Sequence, residues 1–215
     1  MLGAGVLGGA AAVLAACTAA PAPAVPTGVP PAPSPAPPSP TASSPPPPTY
    51  VGDAQPVALC AALANLAVGL YGDAVARAIG GRYGALPAVV PAFLRGAAGQ
   101  HTVAAGSWNE VLAAAGRPTM TGTPDPVERA LRGTLDAARV PGDLLALALD
   151  LETVIAATVV DRIGVMTTPS ALAAGAVIAP VAATRAATAS FLLGRPPGAA
   201  PGPGAAPVGR EVTVG

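Results

Sequence analysis

Apart from its hydroxyl side chains, this 215-residue chain offers one histidine, two cysteines and eleven acids for proton transfer, nucleophilic attack or metal ligation. His101 is the single imidazole and could act as a general base, but no motif places a nucleophile beside it. The bland alternative is a satisfied histidine in or near the core. Glu152 is more informative. Leu145, Ala148, Ile155 and Val159 lie on its face at helical spacing, so its carboxylate points into apolar surroundings. A buried unpaired carboxylate is costly; it must raise its own pKa or find a partner. Glu152 is therefore either the remnant of a metal or proton site or half of a structural pair, with His101, Arg185, Tyr71 and Asn65 as candidate partners. Cys60 stands among alanines and reads as a buried, inert thiol. Trp108 reads as a core anchor, and Gly80-Gly81 lacks the strand-to-helix setting of a phosphate loop.

These residues need helices to position them. The first is expected over 54–79, where Leu59, Leu63, Leu66, Leu70 and Ala74 recur at helical spacing before Gly80-Gly81. The second is expected over 87–115, with Phe93, Ala97, His101, Ala104, Trp108 and Leu112 on one face and Gly116 as the stop. A short helix follows, capped by Thr123 or Asp125 with Glu128 completing an Asp-x-x-Glu box, and fades near Arg139. The third long helix starts near Gly142-Asp143 and ends about Ile163. The fourth starts with Thr168 as cap and Pro169 at the first position, runs to Leu193, and should kink at 176–178 because Pro180 removes a backbone hydrogen bond. Strand signals are weak. Four long helices with connections between them predict an all-α fold, a four-helix bundle in which abundant alanine lets the helices approach closely.

The two ends differ from this core. Residues 1–16 are apolar and uncharged, the length of a signal-peptide core and too short to span a bilayer. They end in Leu14-Ala15-Ala16-Cys17, which resembles a bacterial lipobox, although no Arg or Lys precedes the apolar run. Lipidation of Cys17 would anchor the chain to the outer face of the cell membrane, each buried methylene contributing ~0.8 kcal/mol; ordinary cleavage near Ala20 or Ala24 is the alternative. Residues 17–52 read as a linker: 14 of the 28 prolines fall between Pro21 and Pro48, and no charge appears before Asp53. Such a segment is extended or disordered. The folded part is expected over 53–195, with a disordered Pro/Gly-rich tail over 196–215.

Charge removes further classes. Acids and bases balance at 11 each, so nothing supplies the basic footprint a nucleic-acid partner needs. Arg77, Arg82, Arg95, Arg117, Arg129, Arg132 and Arg139 alternate with acids as a solvated face.

Four segments together resemble the ferritin-like domains of actinobacterial secreted proteins and lipoproteins. They are Leu63-Ala64-Asn65-Leu66-Ala67-Val68-Gly69-Leu70-Tyr71; Gln100-His101-x-x-Ala104-x-x-x-Trp108-Asn109-x-x-Leu112; Leu149-Asp150-Leu151-Glu152; and Thr184-Arg185-Ala186-Ala187 running into Phe191-Leu192-Leu193-Gly194. The resemblance implies a ferritin-like four-helix bundle over roughly 54–197. In metal-binding members, two helices each give a glutamate and two give Glu-x-x-His. Here Ala64 or Ala67, His101 with Ala104, and Thr184 with Ala187 stand at those positions, and only Glu152 matches. The expectation is a bundle without metal or cofactor, acting as a binding or structural module for a protein partner or small ligand on the envelope. Two alternatives remain: a metal-dependent redox enzyme using Glu152 and His101, and a carrier of a small apolar ligand.

Overall fold

Apolar residues recur at helical spacing through four long segments, and these four and a shorter, more polar one are helical. The computed structural model describes residues 50–196, 206–209 and 214. The fold is all-α: α1 (Ala54–Ile79), α2 (Val89–Ala114), α3 (Asp125–Ala137), α4 (Pro141–Ile163) and α5 (Pro169–Leu192), with no strand among the described residues. The expected leader over 1–16, Cys17 and the proline run to residue 49 lie outside the described residues.

α1 packs along α2 and α4 along α5; the two pairs meet through α1 against α4 and α2 against α5. α1 is the innermost helix. Its leucines fill the core while Ala58, Ala61, Ala62 and Ala67, all without exposure, let neighbours close on its other sides. By length and apolarity alone α1 and α5 could each cross a membrane, but α1 is mostly buried within the protein. α5 is mostly exposed, and its single charged residue, Arg185, is buried. α5 continues through Pro180. It approaches α4 closely at Gly175, where an added Cβ would lie 2.5 Å from Ile163.

Helix starts differ from the expected caps. Neither Thr123 nor Asp125 caps α3 through its side chain; Pro124 holds the cap position. Pro126 has no amide to be capped, and the amides of Val127 and Glu128 donate to the Pro124 carbonyl instead. The Thr123 hydroxyl donates to the Glu128 carboxylate. Thr168 does sit at the cap of α5, but its side chain makes no cap bond. Asp53, at the start of α1, instead holds the chain just before α5, accepting from the amides of Thr167 (2.8 Å) and Thr168 (2.6 Å). α4 begins one residue before Gly142, and Asp143 accepts from the amides of Arg139 and Val140.

The fold also reaches past both expected boundaries. Tyr50 is buried, and its hydroxyl donates to the Pro118 carbonyl. Val208 is buried against α4, so residues 206–209 belong to the folded unit rather than to a free tail.

Candidate functional site

Glu152 stands on α4 in the stripe formed with Leu145, Ala148, Ile155 and Val159, all of them buried. Three neighbouring helices each send one side chain to it. From α1, Tyr71 donates its hydroxyl to Oε1 at 2.7 Å. From α2, His101 Nε2 lies 2.9 Å from the same oxygen. From α5, Arg185 Nε donates to Oε2 at 2.9 Å, and its Nη1 donates to Gln100 Oε1 at 3.0 Å. Glu152 and His101 have no solvent exposure, and Arg185 has 6%. Every long helix is therefore tied to one carboxylate.

This geometry assigns the protons. A carboxylate accepts, so His101 carries its hydrogen on Nε2 and donates. Nδ1 is left buried with no partner among the described residues. Burial, then the adjacent Glu152 charge, push the Tyr71 phenol well above its ordinary pKa, so it remains a donor. The tyrosine and histidine rings lie 6.0 Å apart, tilted by 31°. Asn65, the fourth candidate partner, turns elsewhere: it donates to the carbonyls of Met120 and Gly122. Asn109 also holds Met120, donating to its carbonyl and accepting from its amide. Those two asparagines pin the loop after α2.

The arrangement does not fit a metal. Both oxygens of Glu152 already accept from protein donors, and His101 Nε2 is spent on the same carboxylate. A metal ion would have to displace or repel the Arg185 guanidinium. Thr184 is exposed and donates to the Pro180 carbonyl, while its neighbour Arg185 faces inward. Among the described residues no three His, Cys, Asp or Glu side chains cluster in a way that could hold an ion.

The remaining reactive candidates are quiet. Cys60 is buried and free, and burial pushes its thiol up to about 12 against a smaller opposing pull from the Arg162 charge. Trp108 is 1% exposed and packs in the core. Cys17 lies outside the described residues. Of the surface arginines, Arg77 pairs with Asp136 at 2.6 Å, and Arg132 with Asp73 at 2.7 Å and Glu128 at 2.5 Å.

A second feature lies between α2 and α5. A groove of about 250 Å³ is walled by Val103, Ala104, Val177, Ile178 and Val181, with Gln100 and Arg185 at one side. A neighbouring hollow of about 420 Å³ shares Gln100, Val181 and Arg185 with it and continues past Phe93. Val103 and Val177 are each about 70% exposed. Glu152 does not line either space.

Sequence reasoning gave no role to Gln100, although it directly precedes His101. It also passed over Arg162, which continues the 152, 155, 159 stripe by another three residues. No family model, curated protein or solved structure matches the chain.

Proposed function

We propose that this chain is a cell-envelope lipoprotein, held on the extracytoplasmic face of the membrane through Cys17, whose helical domain is a metal-free binding module rather than an enzyme. The domain is a ferritin-like four-helix bundle with a kinked last helix, in which a side-chain cation has taken the place of bound metal. The observation that carries this reading is the Arg185 guanidinium 2.9 Å from Glu152, at the centre where all four long helices converge. It neutralises the one matching carboxylate and opposes entry of a second cation. The tyrosine, histidine and arginine are all engaged with Glu152, and the remaining imidazole nitrogen, His101 Nδ1, is buried without a partner among the described residues and lines neither hollow between α2 and α5. The binding surface in this reading is the α2–α5 face, where exposed Val103, Val177 and Val181 form an apolar patch of the kind that marks protein partners.

A second reading rests on the groove itself. Its walls are apolar and its volume, about 250 Å³, is just below the usual range for ligand pockets. A small apolar ligand could use it without touching Glu152.

Fractionating cells that express the wild type and Cys17→Ser, followed by elemental analysis of the purified protein, tests the proposal. Membrane retention should depend on Cys17, and metal should be far below one equivalent. Iron or manganese near stoichiometry, lost in Glu152→Gln, would overturn the metal-free reading and favour the redox alternative. Retention of Cys17→Ser on membranes would overturn the anchor.

A further inference from the structure

The segment at 206–209 is held in the manner of a bound peptide. Its Val208 amide donates to Thr158 Oγ1 at 2.9 Å. Arg162 Nη2 donates to two successive carbonyls, those of Val208 (2.8 Å) and Gly209 (2.9 Å). The Val208 side chain is 8% exposed and joins the core. Main-chain hydrogen bonds plus one seated side chain are how extended peptides are commonly recognised.

With the segment seated, the receiving side is also held by bonds of its own. Thr158 has no exposure, and its hydroxyl is aimed by donating to the Val154 carbonyl at 2.7 Å, which leaves its lone pairs for an incoming amide. Arg162 is 4% exposed, with Nη1 held by Asp161 at 3.1 Å, so Nη2 points in a fixed direction. Both residues belong to α4, one turn apart. Pro207 limits the backbone just before Val208, which lowers the entropy lost on seating.

We propose that Thr158 and Arg162 form a receptor for an extended Pro-Val-Gly segment, filled in cis by residues 207–209 and able to take the same segment from a second copy of the chain. The two contacts are chemically identical, which is the condition for exchange of an element between copies. Nine residues, 197–205, join the strap to the last residue of the helical domain described, Pro196. A connection that short holds the cis segment at an effective concentration on the order of mM. Cis seating therefore prevails in dilute solution, and exchange becomes competitive where chains are crowded side by side. Residues 206–209 lie outside the five helices, and segments held by few contacts open at lower free energy than packed helices, so the strap can leave without unfolding them.

Complementation tests this. Val208→Asp keeps the receptor but spoils the strap, because a carboxylate cannot enter the apolar seat. Arg162→Met keeps the strap but spoils the receptor. Mixed at about 1 mM, the scale set by the tether, the two variants should form a 1:1 complex in sedimentation, at least tenfold tighter than self-association of either alone. A full-chain double variant carrying both changes should not associate with either single variant's defective half. Absence of a mixed complex, with both chains helical by circular dichroism, would overturn the proposal. Should Val208→Asp lose its helicity, Val208→Ser replaces it in the same mixture with the same two outcomes.

Discussion

Among the described residues two arginines are buried, and they are held in different ways: Arg185 donates to side chains, whereas Arg162 gives Nη2 to backbone carbonyls and leaves its Nε without a partner. Arg185 lies where the long helices converge and faces a carboxylate with no solvent exposure. Arg162 lies near the C-terminal end of α4, where its guanidinium meets two carbonyls of a segment 46 and 47 residues away and a partly exposed Asp161. The first site is charge against charge within one set of helices. The second is charge shared between a carboxylate on the same helix and two backbone carbonyls, and its backbone part holds only while residues 208–209 stay seated. Removing a partner inside a low-dielectric core strands an ion, whereas opening the second site lets water reach the arginine. The convergence point should therefore be intolerant of single changes, and the end of α4 conditionally stable.

The largest effect should come from breaking the first pair. Glu152→Ala leaves the Arg185 cation buried without its anion and also strands the Tyr71 and His101 donors. Loss of one partner of a buried ion pair costs about 3–5 kcal/mol. Urea unfolding should show a loss in that range, and Glu152→Gln should lose less because an amide oxygen still accepts. The double variant Glu152→Met/Arg185→Met should be less damaged than Glu152→Ala, since apolar replacement removes the ion and its partner together. A double variant worse than the single would mean that the hydrogen bonds to Tyr71, His101 and Gln100, not the ion pair, dominate there.

The convergence point was largely legible in the sequence because its cause is local. Glu152 interrupts an apolar stripe at regular spacing, and a buried acid demands partners, so Tyr71, His101 and Arg185 could be named. Asn65 met the same criterion, and nothing in its own helix showed that the loop at 120–122 would claim it. The helix spans were likewise readable from periodicity and Gly/Pro stops, and α1 matches its expected span. The end of α4 was not legible. Val208 lies in a Pro/Gly-rich stretch with no periodicity, and its docking depends on Thr158 and Arg162 about 50 residues earlier. Asp53 holds the chain just before α5, 114 residues away, a relation that no local pattern carries.

A smaller loss is expected at the second arginine. Arg162→Met keeps most of the apolar stem but leaves the carbonyls of Val208 and Gly209 without their donor. Water can reach them once the strap lifts, so the cost should be about 1–3 kcal/mol. Amide exchange should localise it: the Val208 amide should lose protection while those of α1 keep theirs. Equal loss of protection in both would erase the contrast between a seated strap and a cooperative core.

The smallest effect sharpens the contrast at the same end of the molecule. Asp53, which shares the hollow beside Arg162, accepts from the Thr167 and Thr168 amides, and those bonds hold its carboxyl below the usual range. Asp53→Ala should cost about 1 kcal/mol at neutral pH, the typical net worth of a hydrogen bond. A carboxyl whose pKa is lowered by folding contributes stability above its unfolded value, about 3.9, and that contribution disappears as pH falls through the folded value. The stability gap between wild type and Asp53→Ala should thus be constant from pH 7 to about 5 and narrow below pH 4. Glu128 and Asp143 are lowered too, the first by the Thr123 hydroxyl and Arg132, the second by backbone amides. Both chains carry those groups, so the difference isolates Asp53. A gap that persists undiminished at pH 2.5 would assign the contact to hydrogen-bond shape rather than to charge, and the end of the molecule would then owe its hold on α5 to geometry alone.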